Sequence, residues 1–177
     1  MKTYEFSIIA SGLDPQADDF ETRFYDAGCD DATVSFQKGH IIIDFARSAD
    51  SVIEAISSAV ENVISAGATV NRIEPDPLVS LSEIASRSEM SRAAMTLYAK
   101  GERGKNFPAP IARVTSESPL WNWAMVARWL FVHKKVSREV AIEAEAFSVA
   151  NEAIEAREYK IRERLGARIE EYEHALC

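Results

Sequence analysis

Ser91, Arg92, Ala93, Thr96 and Lys100 lie within ten residues of one another, and most are separated by about one helical turn. On a helix they would set two hydroxyls, a guanidinium and an ammonium around one small, uncrowded side chain. Such a face donates hydrogen bonds to anionic oxygens and to the edges of stacked heterocycles. Ser91-Arg92 at the start of a helix would add unpaired backbone N–H groups, where phosphate binds well. Arg103, Lys105 and Arg113 follow closely and supply charge suited to a polyanion backbone.

The whole chain has 177 residues and a net charge of −8, at first sight the wrong sign for an anionic partner. The charge is unevenly spread. Residues 1–77 hold five Lys/Arg against fourteen Asp/Glu, and residues 137–177 hold six against ten. Residues 78–136 hold nine against four, and this basic block contains the five residues above. A localised basic face is what a phosphate backbone requires, whatever the total.

Two helices must position these groups. Ser80 or Ser82 can cap a helix through Glu83, Ile84, Ala85 and Arg87, and Ser91 can cap a second through Met95 and Tyr98 to Gly101. Ile84, Met90, Met95 and Tyr98 are expected to bury between them. Ala85 is small where crossing helices approach. Arg92, Ala93, Thr96 and Lys100 are left facing outward, and Leu97 is expected either to be partly exposed or to pack on the segment that follows.

Ile84-Ala85, Met90-Ser91-Arg92 and Met95…Tyr98 resemble the bacterial helix-turn-helix. Two positions depart from it: that family has glycine where this chain has Glu89, and leucine where it has Ser88. The downstream segments FPAPIARV (107–114), PLWNW (119–123) and VARWL (126–130) resemble the wing and following helix of the MerR and excisionase (AlpA)-like group. The resemblance covers residues 79–132. It implies a winged helix-turn-helix whose partner is double-stranded DNA. The implied DNA-binding residues are Ser91, Arg92, Ala93, Thr96, Lys100, Arg103, Lys105 and Arg113. The tryptophans are expected to pack in the core, with Asn122 capping the next helix.

The first 75 residues alternate between strand and helix signals. TYEFSIIAS (3–11), DATVSFQ (31–37), HIIIDFA (40–46) and ATVNRIEP (68–75) read as strands, with Lys38-Gly39 joining the middle pair as a hairpin. One helix is expected to open at Asp14-Pro15, carry Phe20, Phe24 and Ala27, and stop at Gly28. A second is expected to be capped by Ser48, with Val52, Ile56, Ala59, Val60 and Val63 on its apolar stripe. The β-α-β-β-α-β order is the ferredoxin-like one, so the expected class is α+β. EPDPL (74–78) reads as the linker. The expected divisions are 1–77, 78–135 and 136–177.

Residues 137–176 contain no proline and one glycine, Gly166. This composition predicts one long helix. Phe147, Ile154 and Ile161 fall on one heptad position and Leu165 on another, with Asn151 and Glu158 as polar interruptions. A seam of Phe147, Ile154, Ile161 and Leu165 would make the chain a homodimer, as the long C-terminal helix does in MerR-like proteins.

Nothing in the sequence points to catalysis, a cofactor or a metal. His40, His133 and His174 are scattered, and there is no nucleophile elbow, phosphate-binding glycine loop or zinc-protease motif. Asp14, Asp18, Asp19, Asp30 and Asp31 read as a solvated acidic face. Cys29 and Cys177 are far apart, and Cys29 is expected to be a small packed residue. No apolar run is long enough to span a bilayer, and the start has too short an apolar stretch for a signal peptide, so a cytoplasmic location is expected. The function expected from the sequence is a dimeric, sequence-specific DNA-binding transcriptional regulator whose N-terminal domain binds a protein partner or small ligand. The alternative is an antitoxin-like module that neutralises a partner and autoregulates through DNA binding.

Overall fold

The structure is a computed structural model describing residues 1–158 and 160–177. The chain is α+β and forms two compact units. The first comprises Met1–Pro75 with Ala146–Glu171, and the second Asp76–Glu145 with Tyr172–Cys177. No helix among the described residues is long and apolar enough to cross a membrane.

The first unit holds β1 (Lys2–Ser11), α1 (Phe20–Asp26), β2 (Ala32–Gln37), β3 (His40–Ala49), α2 (Val52–Ser65) and β4 (Thr69–Glu74). The strands form one antiparallel sheet in the order β2-β3-β1-β4. Period-2 alternation builds its inner face: Phe6, Ile8 and Ala10 lie opposite Phe45, Ile43 and Ile41, all buried. Phe20 and Phe24 of α1 are buried, as are Val52, Ile56, Ala59, Val60 and Val63 of α2. Cys29 is buried as expected, and burial pushes its thiol up to about 11.

Two helix starts lie later than the sequence implies. Asp14 does not open α1: its carboxylate accepts the Gln16 N–H, and residues 14–19 form turns before Phe20. A short acidic side chain there satisfies its own backbone instead of starting a helix. Ser48 does not cap α2, because β3 runs on to Ala49 and the Ser48 hydroxyl pairs with Thr3. Ser51 is the cap and accepts the Glu54 N–H.

Arg47 closes the junction of α1, β2 and α2. Its guanidinium, almost fully buried, donates to both Asp31 carboxylate oxygens at 2.8 Å, to the Gly28 carbonyl at 2.8 Å, to Asn62 Oδ1 at 2.8 Å and to Ser58 Oγ at 3.1 Å. A buried cation needs such a full set of acceptors. Gly28 is required here twice over: its φ is +100°, and a Cβ would sit 2.9 Å from the Asn62 amide.

The single C-terminal helix is not formed. The segment is two helices, α6 (Arg138–Glu155) and α7 (Ile161–Ala175). α6 ends because Arg157 adopts a left-handed φ of 56°, its N–H donating to the Ile154 carbonyl and that of Glu158 to the Ala153 carbonyl. Residues 136–177 are therefore no separate body. They are shared between the two units.

The expected dimer seam is also overturned. Phe147, Ile161 and Leu165 are buried inside their own chain, and Ile154 is half-buried. Phe147 lies against Phe6, ring centroids 5.9 Å apart. Arg162 of α7 pairs with Glu54 and Glu61 of α2. Over Ala146–Glu171 the heptad spacing marks side chains that bury within unit one: Phe147, Ile161 and Leu165 offer no free surface to a second copy, and Ile154 offers only part of its own.

The second unit holds β5 (Leu78–Val79), α3 (Leu81–Arg87), α4 (Arg92–Ala99), β6 (Trp121–Asn122), α5 (Trp123–Val132) and the first part of α6. β5 and β6 pair antiparallel. Its core is built from Ile84, Met95, Tyr98, Trp121, Val126, Trp129 and Leu130, with Met90, Phe107 and Val140 packed against it.

Candidate nucleic-acid interface

α3 begins with a reciprocal cap. The Glu83 N–H donates to Ser80 Oγ at 3.3 Å, and the Ser80 N–H donates to the Glu83 carboxylate at 2.7 Å. Its end turns sharply. The Met90 N–H donates to the Ala85 carbonyl and the Glu89 N–H to the Ser86 carbonyl, with Glu89 at φ 55°. Glu89 therefore occupies the left-handed position that suits glycine. Buried Ser88 donates its hydroxyl to the Ile84 carbonyl at 2.6 Å, so an uncharged polar group is accommodated there without an unmet bond.

α4 then starts at a Ser91 cap, which accepts the Ala94 N–H at 3.1 Å and keeps its own hydroxyl proton available. Met95 and Tyr98 point into the core, while Ser91, Arg92, Ala93 and Lys100 are exposed. Thr96 is half-buried, and its hydroxyl donates back to the Arg92 carbonyl at 3.0 Å. It thus offers a ligand an acceptor and a methyl, not a donor. Leu97 is half-buried, and its carbonyl accepts the N–H groups of Glu102 and Arg103. Arg92 does not extend freely: its guanidinium donates to Ser82 Oγ on α3. Ser80 is the α3 cap, and Ser82, the other serine expected as a candidate for that cap, instead holds the Arg92 side chain.

The segment after α4 is held by aromatic rings. The Trp129 indole N–H donates to the Lys105 carbonyl at 2.9 Å, and the Trp121 indole N–H donates to the Pro108 carbonyl at 2.9 Å. Phe107, Tyr98 and Trp129 form a triangle of rings, with Phe107 at centroid distances of 6.1 Å from Tyr98 and 5.0 Å from Trp129. Gly104, at φ 70°, lies so close that a Cβ would fall 2.9 Å from the Trp129 ring. These contacts fix the main chain while the side chains of Arg103 and Lys105 stay exposed.

A short antiparallel bridge follows. Ala112 and Leu120 pair, and the Leu120 N–H donates to the Ala112 carbonyl at 2.9 Å. Arg113 stands at the corner, exposed, with φ 51°. The bridge leads directly into β6 and then to Asn122, which caps α5 through the Met125 N–H at 3.0 Å. Ile111 and Val114, at the end of the wing-like FPAPIARV segment, are about half exposed.

Not every cation of the basic block is available. Arg87 donates to the Asp76 carbonyl at 3.0 Å and lies over the Trp123 ring, and burial lowers its pKa from the usual arginine value. Arg128 lies over the Tyr172 ring. The exposed cations on α4 and in the segment that follows it are Arg92, Lys100, Arg103, Lys105 and Arg113, interrupted by the exposed acids Glu89, Glu102 and Glu117; Arg128, Lys134 and Lys135, on α5 and just after it, are exposed as well. Among the described residues no group of His, Cys, Asp and Glu side chains could hold a metal ion. No family model, no curated protein and no solved structure matches the chain.

Proposed function

We propose that the chain is a sequence-specific DNA-binding regulator of transcription, with α3, α4 and residues 101–122 acting as a winged helix-turn-helix. The observation that carries this reading is the outward face of α4. Arg92, Ala93 and Lys100 stand clear of the core, and the cations of the following loop and hairpin continue beside them. A small side chain beside long donors suits insertion into a major groove. The shape-fixed loop bearing Arg103 and Lys105, and the hairpin corner at Arg113, suit phosphate contacts. On this reading unit one, whose β-α-β-β-α-β sheet we assign as ferredoxin-like, is the sensing or partner-binding part.

Selection of bound sequences from a random duplex pool tests the reading directly. The expected result is one enriched motif, bound with an affinity that falls steeply with salt. Failure to retain any duplex at low salt overturns it.

A further inference from the structure

β2 forms one outer edge of the sheet in unit one. It lacks the devices that keep an edge from pairing: ATVSFQ (32–37) contains no charge and no proline, and its register with β3 is unbroken. The ladder also fixes which groups face outward. The Ala46 N–H donates to the Asp31 carbonyl, making that pair a hydrogen-bonded one. Alternation then directs the bonds of Thr33 and Ser35 towards β3. The N–H and C=O groups of Val34 and Phe36 point to the open side. Phe36 is 48% exposed, and Tyr25 of α1, which shares a groove with Ala32, Thr33 and Val34, is 65% exposed.

We propose that this edge pairs antiparallel with the same edge of a second copy, about a two-fold axis through Val34. Only even-sum registers bring outward groups together, and the axis at Val34 makes the segment self-complementary. Val34 meets Val34. The Phe36 ring meets the small Ala32 side chain. Thr33 meets Ser35, so hydroxyls face one another. Just beyond each end of the paired strands, exposed Asp30 of the turn before β2 is brought near exposed Lys38 of the hairpin turn after it. Moving the axis to Thr33 or Ser35 loses this charge match. No like charges are brought opposite one another, which favours a second copy over an acidic or a basic foreign strand. The dimer contact is thus assigned to β2, not to α6 and α7, and the assignment does not rest on DNA binding by unit two.

Sedimentation equilibrium of the full chain, with residue-resolved hydrogen exchange, tests it. The wild type is expected to dimerise, with the Val34 and Phe36 amides becoming protected as concentration rises. Val34→Pro removes an outward N–H and leaves the β3 ladder whole, so it should give a folded monomer. Should that variant fail to fold, the charge pair decides. Lys38→Glu should weaken the dimer about tenfold at low salt, and the swap Asp30→Lys with Lys38→Glu should restore it. A wild type that is monomeric at its highest soluble concentration overturns the proposal. So does a dimer in which the Val34 and Phe36 amides exchange freely and Lys38→Glu has no effect.

Discussion

The side-chain amide of Asn151 takes both backbone groups of Ile73. Its Oδ1 accepts the Ile73 N–H at 2.8 Å, and its Nδ2 donates to the Ile73 carbonyl at 3.0 Å. Ile73 lies on β4, the sheet edge opposite β2. One amide from α6 therefore satisfies the β4 backbone at this point as a neighbouring strand would. In a heptad reading Asn151 is a flaw in an apolar seam. In the fold it is a sheet contact.

Asn151→Leu separates those two meanings. Leucine would improve a coiled-coil seam. Here it leaves the Ile73 N–H and C=O without their partner, and a loss of about 2 kcal/mol is expected. Denaturant midpoints at unchanged slope measure it. Equal or greater stability would show that the β4 edge has no need of the amide.

Glu89 sits at φ 55°, where a side chain is strained. Glu89→Gly should stabilise the chain by up to about 1 kcal/mol. It also removes an acid from the end of the turn that leads into α4, so duplex affinity should rise under the proposed function. Thermal melts and binding isotherms check the two effects separately. A less stable variant would mean that Glu89 makes contacts worth more than its strain.

Arg92 and the loop cations should behave differently. Arg92→Ala is expected to cost about 1–3 kcal/mol of binding and to relax preference at one base position. Ser82→Ala, which frees the Arg92 guanidinium, should cost less and blur the same position. Lys105→Ala and Arg113→Ala should weaken all sequences alike and flatten the salt dependence by roughly one unit each. Identical site preferences in Arg92→Ala and wild type would remove Arg92 from the reading face.

Hydrogen bonds from Arg47 hold the Asp31 carboxyl below its ordinary 3.8. The stability this contributes is therefore present above the unfolded value and is lost as pH falls through the folded one. Asp31→Asn leaves the almost buried Arg47 without its counter-charge and should cost about 1–3 kcal/mol near pH 7, less than a fully buried pair because Asp31 is partly exposed. The gap between variant and wild type should narrow in acid. Unfolding curves at both pH values decide it, and a gap that stays constant would show that Asp31 is not the titrating partner.

The strands of unit one were legible because alternation is a direct consequence of one buried face: Ile41, Ile43 and Phe45 announce β3 by themselves. The caps Ser91 and Asn122 were legible because short oxygens precede apolar runs. The break in the C-terminal helix was hidden for a local reason. α3, α5 and α6 are followed by Glu89, Lys134 and Arg157 in left-handed conformations, and none is the glycine that signals such a stop. Without a glycine near 157, an Ala- and Glu-rich stretch reads as one uninterrupted helix. The apolar residues of that stretch were found correctly, but periodicity reports that a face is covered and not by what. The Arg92–Ser82 contact joins residues on different helices, and no local pattern encodes it.

The two indole bonds to the carbonyls of Lys105 and Pro108 hold main chain, not side chains. The shape of residues 101–110 is consequently indifferent to what positions 103 and 105 carry, provided that position 104 stays a glycine. Such a loop is a socket with exchangeable inserts. Its outward chemistry can be rewritten, cation for hydroxyl or amide, without retuning the core that holds it.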